Sequence, residues 1–244
     1  MAEAGTRPVT GALAIWVKTP GLSPVKTRLA ASIGTNAAEE FYRLSAQAVA
    51  AVVRQAVGTS AELLAPYWAV AEEAALAHPD WRAFPTVYQG EGDLGARLSH
   101  VYDTLLQRHS WVIFIGADAP QITSELLAEA AQVLNETGDF VIGPAEDGGY
   151  YLFGGSTPLP CTLWIAVPYS AGDTLEAFAE LLRSFGSIRY LPRMFDVDTV
   201  DELMRLTREL AEWQSLLPEQ TNLLSVLGGL NYRTHRETRP LRPH

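Results

Sequence analysis

Between residues 18 and 29 the chain reads KTPGLSPVKTRL, with Lys18, Lys26 and Arg28 set around a turn at Pro20-Gly21 and followed by helix-forming sequence. Lysine and arginine make charge-assisted hydrogen bonds to phosphate, and a helix start offers unpaired N–H groups to an anion. Against the phosphate loop G-x-x-x-x-G-K-[ST], with Lys26-Thr27 as the final pair, Pro20 and Val25 fall where glycines belong. Val25 carries a Cβ and resists the conformations that wrap backbone around phosphate. An ATPase-type loop is therefore excluded. A solvated loop whose cations happen to cluster fits the same residues.

Three further stretches could do chemistry, each just after a strand-like run. GADAP (116–120) carries Asp118, a carboxylate suited to a Mg²⁺ that bridges phosphates; it would equally cap a following helix. GPAEDGGYYLFG (143–154) offers Glu146, Asp147, Gly148 and Gly149, either as a hairpin turn of the Asp-Gly kind or as a turn that also lines a pocket. FDVDTVDEL (195–203) places Asp196 and Asp198 two apart, which in extended backbone aims both to one face. A glycine-rich turn, GEGDLGARL (90–98), adds Gly90, Leu94 and Gly95.

The elements that must position these residues alternate. Strands are expected at 11–17, 65–71, 84–89, 111–116, 139–145, after the 146–149 turn, and at SIRYLP (187–192). Helices are expected at 36–57 behind Asn36, over EEAALA, from the 90–98 turn to about residue 108, and at 123–135, 171–185 and 199–213. This alternation predicts an α/β fold with a doubly wound, mostly parallel sheet and helices on both faces. Ligands bind such sheets at the carboxyl ends of the strands. One domain is expected over 11–215, with 1–10 and 231–244 as flexible ends.

Composition narrows the partners. A net charge of −10 argues against nucleic acid, which needs a basic face. Cys161 is the single cysteine, so no internal disulfide and no cysteine-clustered zinc site can form. The histidines (His78, His100, His109, His235, His244) lack metal-ligand spacing. No G-x-S-x-G elbow occurs, and no G-x-G-x-x-G follows the first strand. With no signal core and no apolar run of membrane-spanning length, a cytoplasmic protein without a membrane partner is expected.

Taken in order, KTPGLSPVKTRL, GEGDLGARL, GADAP, GPAEDGGYYLFG and FDVDTVDEL resemble the bacterial DUF2064 family of the GT-A transferase superfamily, over roughly residues 11 to 210. That superfamily includes molybdenum-cofactor guanylyltransferase-like and 2-phospholactate guanylyltransferase-like enzymes. The resemblance implies that Lys26 and Arg28 contact nucleotide phosphates, with Lys18, Gly21, Gly90, Leu94 and Gly95 completing the nucleotide site. It further implies Asp118 and Asp198 as ligands to Mg²⁺ or Mn²⁺, Lys26, Arg28 and Asp118 as the catalytic set, and Asp147, Gly148 and Gly149 on the acceptor side. Two departures are visible. Ala117 and Ala119 flank Asp118 where small polar residues or cysteine are common, and Trp16 replaces a smaller or phenylalanine side chain.

The implied reaction is nucleotidyl transfer from a nucleoside triphosphate to a small anionic acceptor, for which no dedicated base is needed. The alternative on the same fold is glycosyl transfer from a nucleotide-sugar. Its usual D-x-D near the middle of the sequence is replaced here by the single Asp118, the only D-x-D being Asp196-Val-Asp198. A non-catalytic nucleotide-binding protein is the third reading. Expected partners are therefore a nucleotide donor and a small-molecule acceptor, with a homodimer left open.

Overall fold

The structure, a computed structural model, describes residues 11–59, 64–138, 140–169 and 171–229. The terminal segments expected to be flexible, 1–10 and 231–244, lie outside the described residues.

Among the described residues seven strands form one sheet: β1 (Gly11–Val17), β2 (Leu64–Val70), β3 (Thr86–Tyr88), β4 (Val112–Gly116), β5 (Phe140–Pro144), β6 (Tyr150–Gly155) and β7 (Ile188–Tyr190). Their order is β3-β2-β1-β4-β6-β5-β7. All neighbours run parallel except β6, which is antiparallel to both β4 and β5. The cause is local: a parallel return needs a crossover of a dozen residues or more, and the 145–149 turn is too short for one. Strand order reverses direction at β1, which pairs with β2 on one side and β4 on the other. The carboxyl ends of β1 and β4 therefore open the crevice in which doubly wound sheets bind ligands.

Period-two alternation along β1 divides the core. Leu13, Ile15 and Val17 face one layer, built on α2 (Thr35–Thr59) and α4 (Ser124–Thr137). Ala12 and Ala14 face the other, built on α3 (Leu94–Leu106), α5 (Cys161–Ala166) and α6 (Thr174–Leu182). Helices cover both faces, as the alternating pattern predicts. A third apolar cluster joins α1 (Thr27–Ile33) and α2 to α7 (Val200–Glu212) and α8 (Pro218–Gly229) through Leu29, Phe41, Leu203, Leu206, Leu223 and Leu227.

Several elements differ from the sequence-based expectation. The helix expected over 171–185 spans only Thr174–Leu182, and EEAALA makes a single 3₁₀ turn, Glu73–Ala75. Helix α5 forms within a proline-rich stretch that reads as loop, because Pro160 ends the extended segment and serves as N-cap. Gly34, at φ +88°, ends the short α1, and the helix expected over 36–57 runs from Thr35 to Thr59. Packed structure continues past residue 215: α8 buries Leu223 and Leu227 against the third cluster.

Candidate active site

The site begins with one backbone torsion. Lys26 adopts φ +47°, ψ +45° at the start of α1, the one non-glycine residue with positive φ among those described. The special backbone position thus falls one residue after Val25, which is buried. A left-handed lysine costs roughly 1–2 kcal/mol, and such strain persists where the surroundings over-determine it. Here the side chain is 3% exposed, and Nζ lies 2.9 Å from Oδ1 of Asp118 and 2.9 Å from Oδ1 of Asp198. Burial works against the ammonium charge, but the two carboxylates outweigh it and hold the pKa above the ordinary lysine value.

Two loops bring these carboxylates together. Asp118 follows β4, and Asp198 immediately precedes the N-cap of α7. Val197 N–H donates to the carbonyl of Asp118 (3.3 Å), and Gln121 Nε2 donates to the carbonyl of Phe195 (2.6 Å), stitching one loop to the other. Ser45 Oγ, fully buried in α2, donates to the carbonyl of Ala117, and Gln220 Nε2 in α8 donates to that of Pro120 (3.0 Å). Thr199 and Glu202 form a capping box at the start of α7, and Glu202 Oε2 also accepts the N–H of Asp198 (2.8 Å). Oδ1 of Asp118 is buried against the Lys26 ammonium. Asp196 also lies near this centre; burial, then Asp198 and Asp147, push its carboxyl up to about 6.

The 18–29 loop is anchored from behind. Lys18 N–H donates to the Tyr42 hydroxyl (2.9 Å), Thr19 N–H to Glu72 Oε2 (2.9 Å), and Trp81 Nε1 to Thr19 Oγ1 (3.1 Å). Opposite, Gln89 is buried and its Nε2 donates to the carbonyls of Val17 and Ala69, locking the end of β3 to the ends of β1 and β2. Tyr42, Gln89, Glu72 and Trp81 are absent from the sequence-based site. Gln89 left one signal, a polar residue ending a strand just before a glycine turn; the others sit in ordinary helical or loop sequence.

Lys18, Lys26, Asp118 and Asp198 line one cleft of about 260 Å³, together with Trp16 and Gln89. Arg28 stands at its rim, 75% exposed and 3.6 Å from Asp198 Oδ2. Gly21 takes φ +88° with open space around it, and Gly90 takes φ +84° against the His100 ring. Leu94 is exposed in the cleft wall. Gly95 faces elsewhere: a Cβ there would come 2.6 Å from the carbonyl oxygen of Trp164, so its lack of a side chain lets α3 approach α5.

The β5–β6 turn lies beside this cleft. Asp147 Oδ1 accepts the N–H of Gly149 (2.9 Å), and Gly148 takes φ +90° where a Cβ would strike the carbonyl of Gly172. Asp147 and Gly149 line a second chamber of about 290 Å³, which shares Trp16 and Leu94 with the first. Glu146 points away and pairs with Arg205, whose guanidinium lies 3.9 Å from the centroid of the Phe195 ring.

Doubly wound sheets in general open a cleft where strand order reverses, and solved structures of the nucleotide-diphospho-sugar transferase-like fold share this architecture. A provisionally named nucleotide-diphospho-sugar transferase from Desulfovibrio desulfuricans G20 superposes with a TM-score of 0.76 at 24% identity, over 91% of this chain and 98% of that one. The 4-diphosphocytidyl-2C-methyl-D-erythritol synthase of Anaerococcus prevotii DSM 20548 gives 0.55 at 12% identity, over 84% and 97%. A cytidylyltransferase from Leptospira borgpetersenii serovar Hardjo-bovis (strain JB197) gives 0.50 at 12%, over 91% and 94%. At these identities the likeness is one of fold. No curated protein matches the sequence. The profile of DUF2064, described as an uncharacterized protein conserved in bacteria, matches residues 46–171, and the protein belongs to that family. This match includes the 90–98, 116–120 and 143–154 motifs; the Lys26 and Asp198 loops lie outside it.

Proposed function

We propose that this protein is a nucleotide-using transferase whose first cleft binds a nucleoside triphosphate and whose reaction is nucleotidyl transfer. The observation that carries the reading is Lys26, strained, buried and charged between two carboxylates at the strand-order reversal. Lys26 and Lys18 supply the cations for the phosphates, and Arg28 extends from the rim toward the outer ones. Positive charge held in a partly water-excluded site stabilises the charge that develops as pyrophosphate leaves.

Asp118 and Asp198 fit a divalent cation, Mg²⁺ or Mn²⁺. They converge on one cationic centre, the Lys26 ammonium, 2.9 Å from an oxygen of each. These two carboxylates would hold the ion, with phosphate and water supplying its remaining ligands. Such an ion, when bound, polarises phosphoryl oxygens. Lys26, charged beside the same carboxylates, would supply a fixed positive charge next to the phosphates.

One observation favours the second reading, glycosyl transfer. Arg28 stands outside the cleft lining, so Lys18 and Lys26 alone lie within it among the described cations, a complement that also suits a diphosphate. Calorimetric titration with the four nucleoside triphosphates and a set of nucleotide-sugars, with and without Mg²⁺, separates the two. Mg²⁺-dependent preference for one triphosphate is expected. Preference for a nucleotide-sugar assigns glycosyl transfer, and turnover by Asp118→Ala equal to wild type would refute the metal-assisted mechanism.

A further inference from the structure

The second chamber differs sharply in chemistry from the cleft it adjoins. Its wall includes Trp16, Leu98, Phe114, Tyr150 and Tyr169, and Asp147 is its one charged residue among those described. Neither lysine nor arginine is among the described residues that line it. Burial pushes the phenols of Tyr150 and Tyr169 well above their usual range, so both stay neutral. Trp16 meets Phe114 edge to face at 5.3 Å and lines both cavities.

An anion entering here would meet no cationic side chain among the described lining residues. The nearby buried cation, Lys26, is already paired with Asp118 and Asp198. Removing a phosphate from water without a counter-charge is heavily unfavourable. Aromatic walls with a few placed polar groups are instead the usual lining of a site for a largely apolar or neutral organic molecule.

We propose that this chamber is the acceptor subsite and that it selects a neutral, hydroxyl-bearing ring compound over a phosphorylated one, with Asp147 accepting the hydroxyl hydrogen. This replaces the anionic acceptor expected from the sequence, and it rests on the donor reading above. In the transfer the acceptor oxygen bonds to the α-phosphorus of the nucleoside triphosphate and the bond to the pyrophosphate oxygen breaks. The hydroxyl proton passes to the Asp147 carboxylate. Oδ1 of Asp147 is occupied by the Gly149 N–H, which leaves Oδ2 to face the acceptor.

The test uses a matched pair of probes, phenyl β-glucoside and its 6-phosphate, titrated into the full-length protein and followed by calorimetry and by the indole N–H signal of Trp16. The neutral probe is expected to bind at least about tenfold more tightly, the equivalent of one unfavourable charge contact in a partly screened site, and to shift the Trp16 signal. Asp147→Asn, which keeps an acceptor oxygen for the Gly149 N–H, is expected to fold normally and to narrow the gap between probes by about threefold or more. Equal or tighter binding of the phosphorylated probe, or failure of the neutral probe to move Trp16, overturns the proposal. Titration of the same sample with Mg²⁺–nucleoside triphosphates reports on the donor reading separately: neutral-probe binding without nucleotide binding defeats only the latter.

Discussion

Lys26 carries two opposed contributions, a strained backbone and a charge-paired side chain, and substitutions can separate them. Lys26→Gly and Lys26→Ala both remove the ion pairs, but only alanine keeps the left-handed penalty. The glycine variant is therefore expected to be more stable than the alanine variant by about 1 kcal/mol in urea unfolding. Lys26→Gln is expected to weaken nucleotide binding about 10- to 100-fold, the range for losing a hydrogen bond to a charged group, as read by calorimetry. Arg28, mostly exposed at the rim, should matter less: Arg28→Gln is expected to lower affinity by about fivefold or less. Sequence gives Lys26 and Arg28 equal standing, two basic residues at i and i+2. The helix start separates them: Lys26 precedes α1 in a left-handed turn that buries its side chain, whereas Arg28 lies in the first turn of α1 and is 75% exposed.

At the level of elements, the site depends on how two helices begin. The capping box of α7 fixes the residue after Asp198, and Glu202 holds the Asp198 N–H itself. Thr199→Ala is expected to lower stability by about 1 kcal/mol in denaturant unfolding and to weaken nucleotide binding, since the carboxylate loses its fixed approach. Gly95 acts in a different way from the role its motif implies. Gly95→Ala would force α3 away from α5 and is expected to destabilise by about 1–3 kcal/mol, with any loss of binding following from that displacement. Thermal unfolding in the presence and absence of nucleotide distinguishes the two effects. The glycine itself was legible in GEGDLGARL, but its neighbour was not. Trp164 lies far along the sequence, in a helix that proline-rich residues conceal.

Over the whole molecule, α8 supports the Asp118 loop without lining the cleft. Leu223 and Leu227 fill the third apolar cluster, and Gln220 holds the carbonyl of Pro120, two residues after Asp118. Leu223→Ala is expected to lower stability by about 2–5 kcal/mol. Gln220→Leu is expected to loosen the Asp118 loop, seen as a weaker metal-dependent gain in nucleotide affinity. Neither effect follows from a domain ending at residue 215. The sequence by itself determined the sheet and its layers, because buried strands such as WVIFIG and the helical spacing of α2 are written in local hydrophobic period. It also determined that charged residues stand at strand ends, where short turns between such elements must place them. Only the tertiary structure decided their partners. Lys26 meets a carboxylate 172 residues away, Glu146 is spent on Arg205, and Asp147 faces a chamber with no cation among its described lining residues. Charge pairing is non-local and depends on which loops the packed helices and stitched carbonyls bring together, and no local pattern in a single sequence encodes that distance.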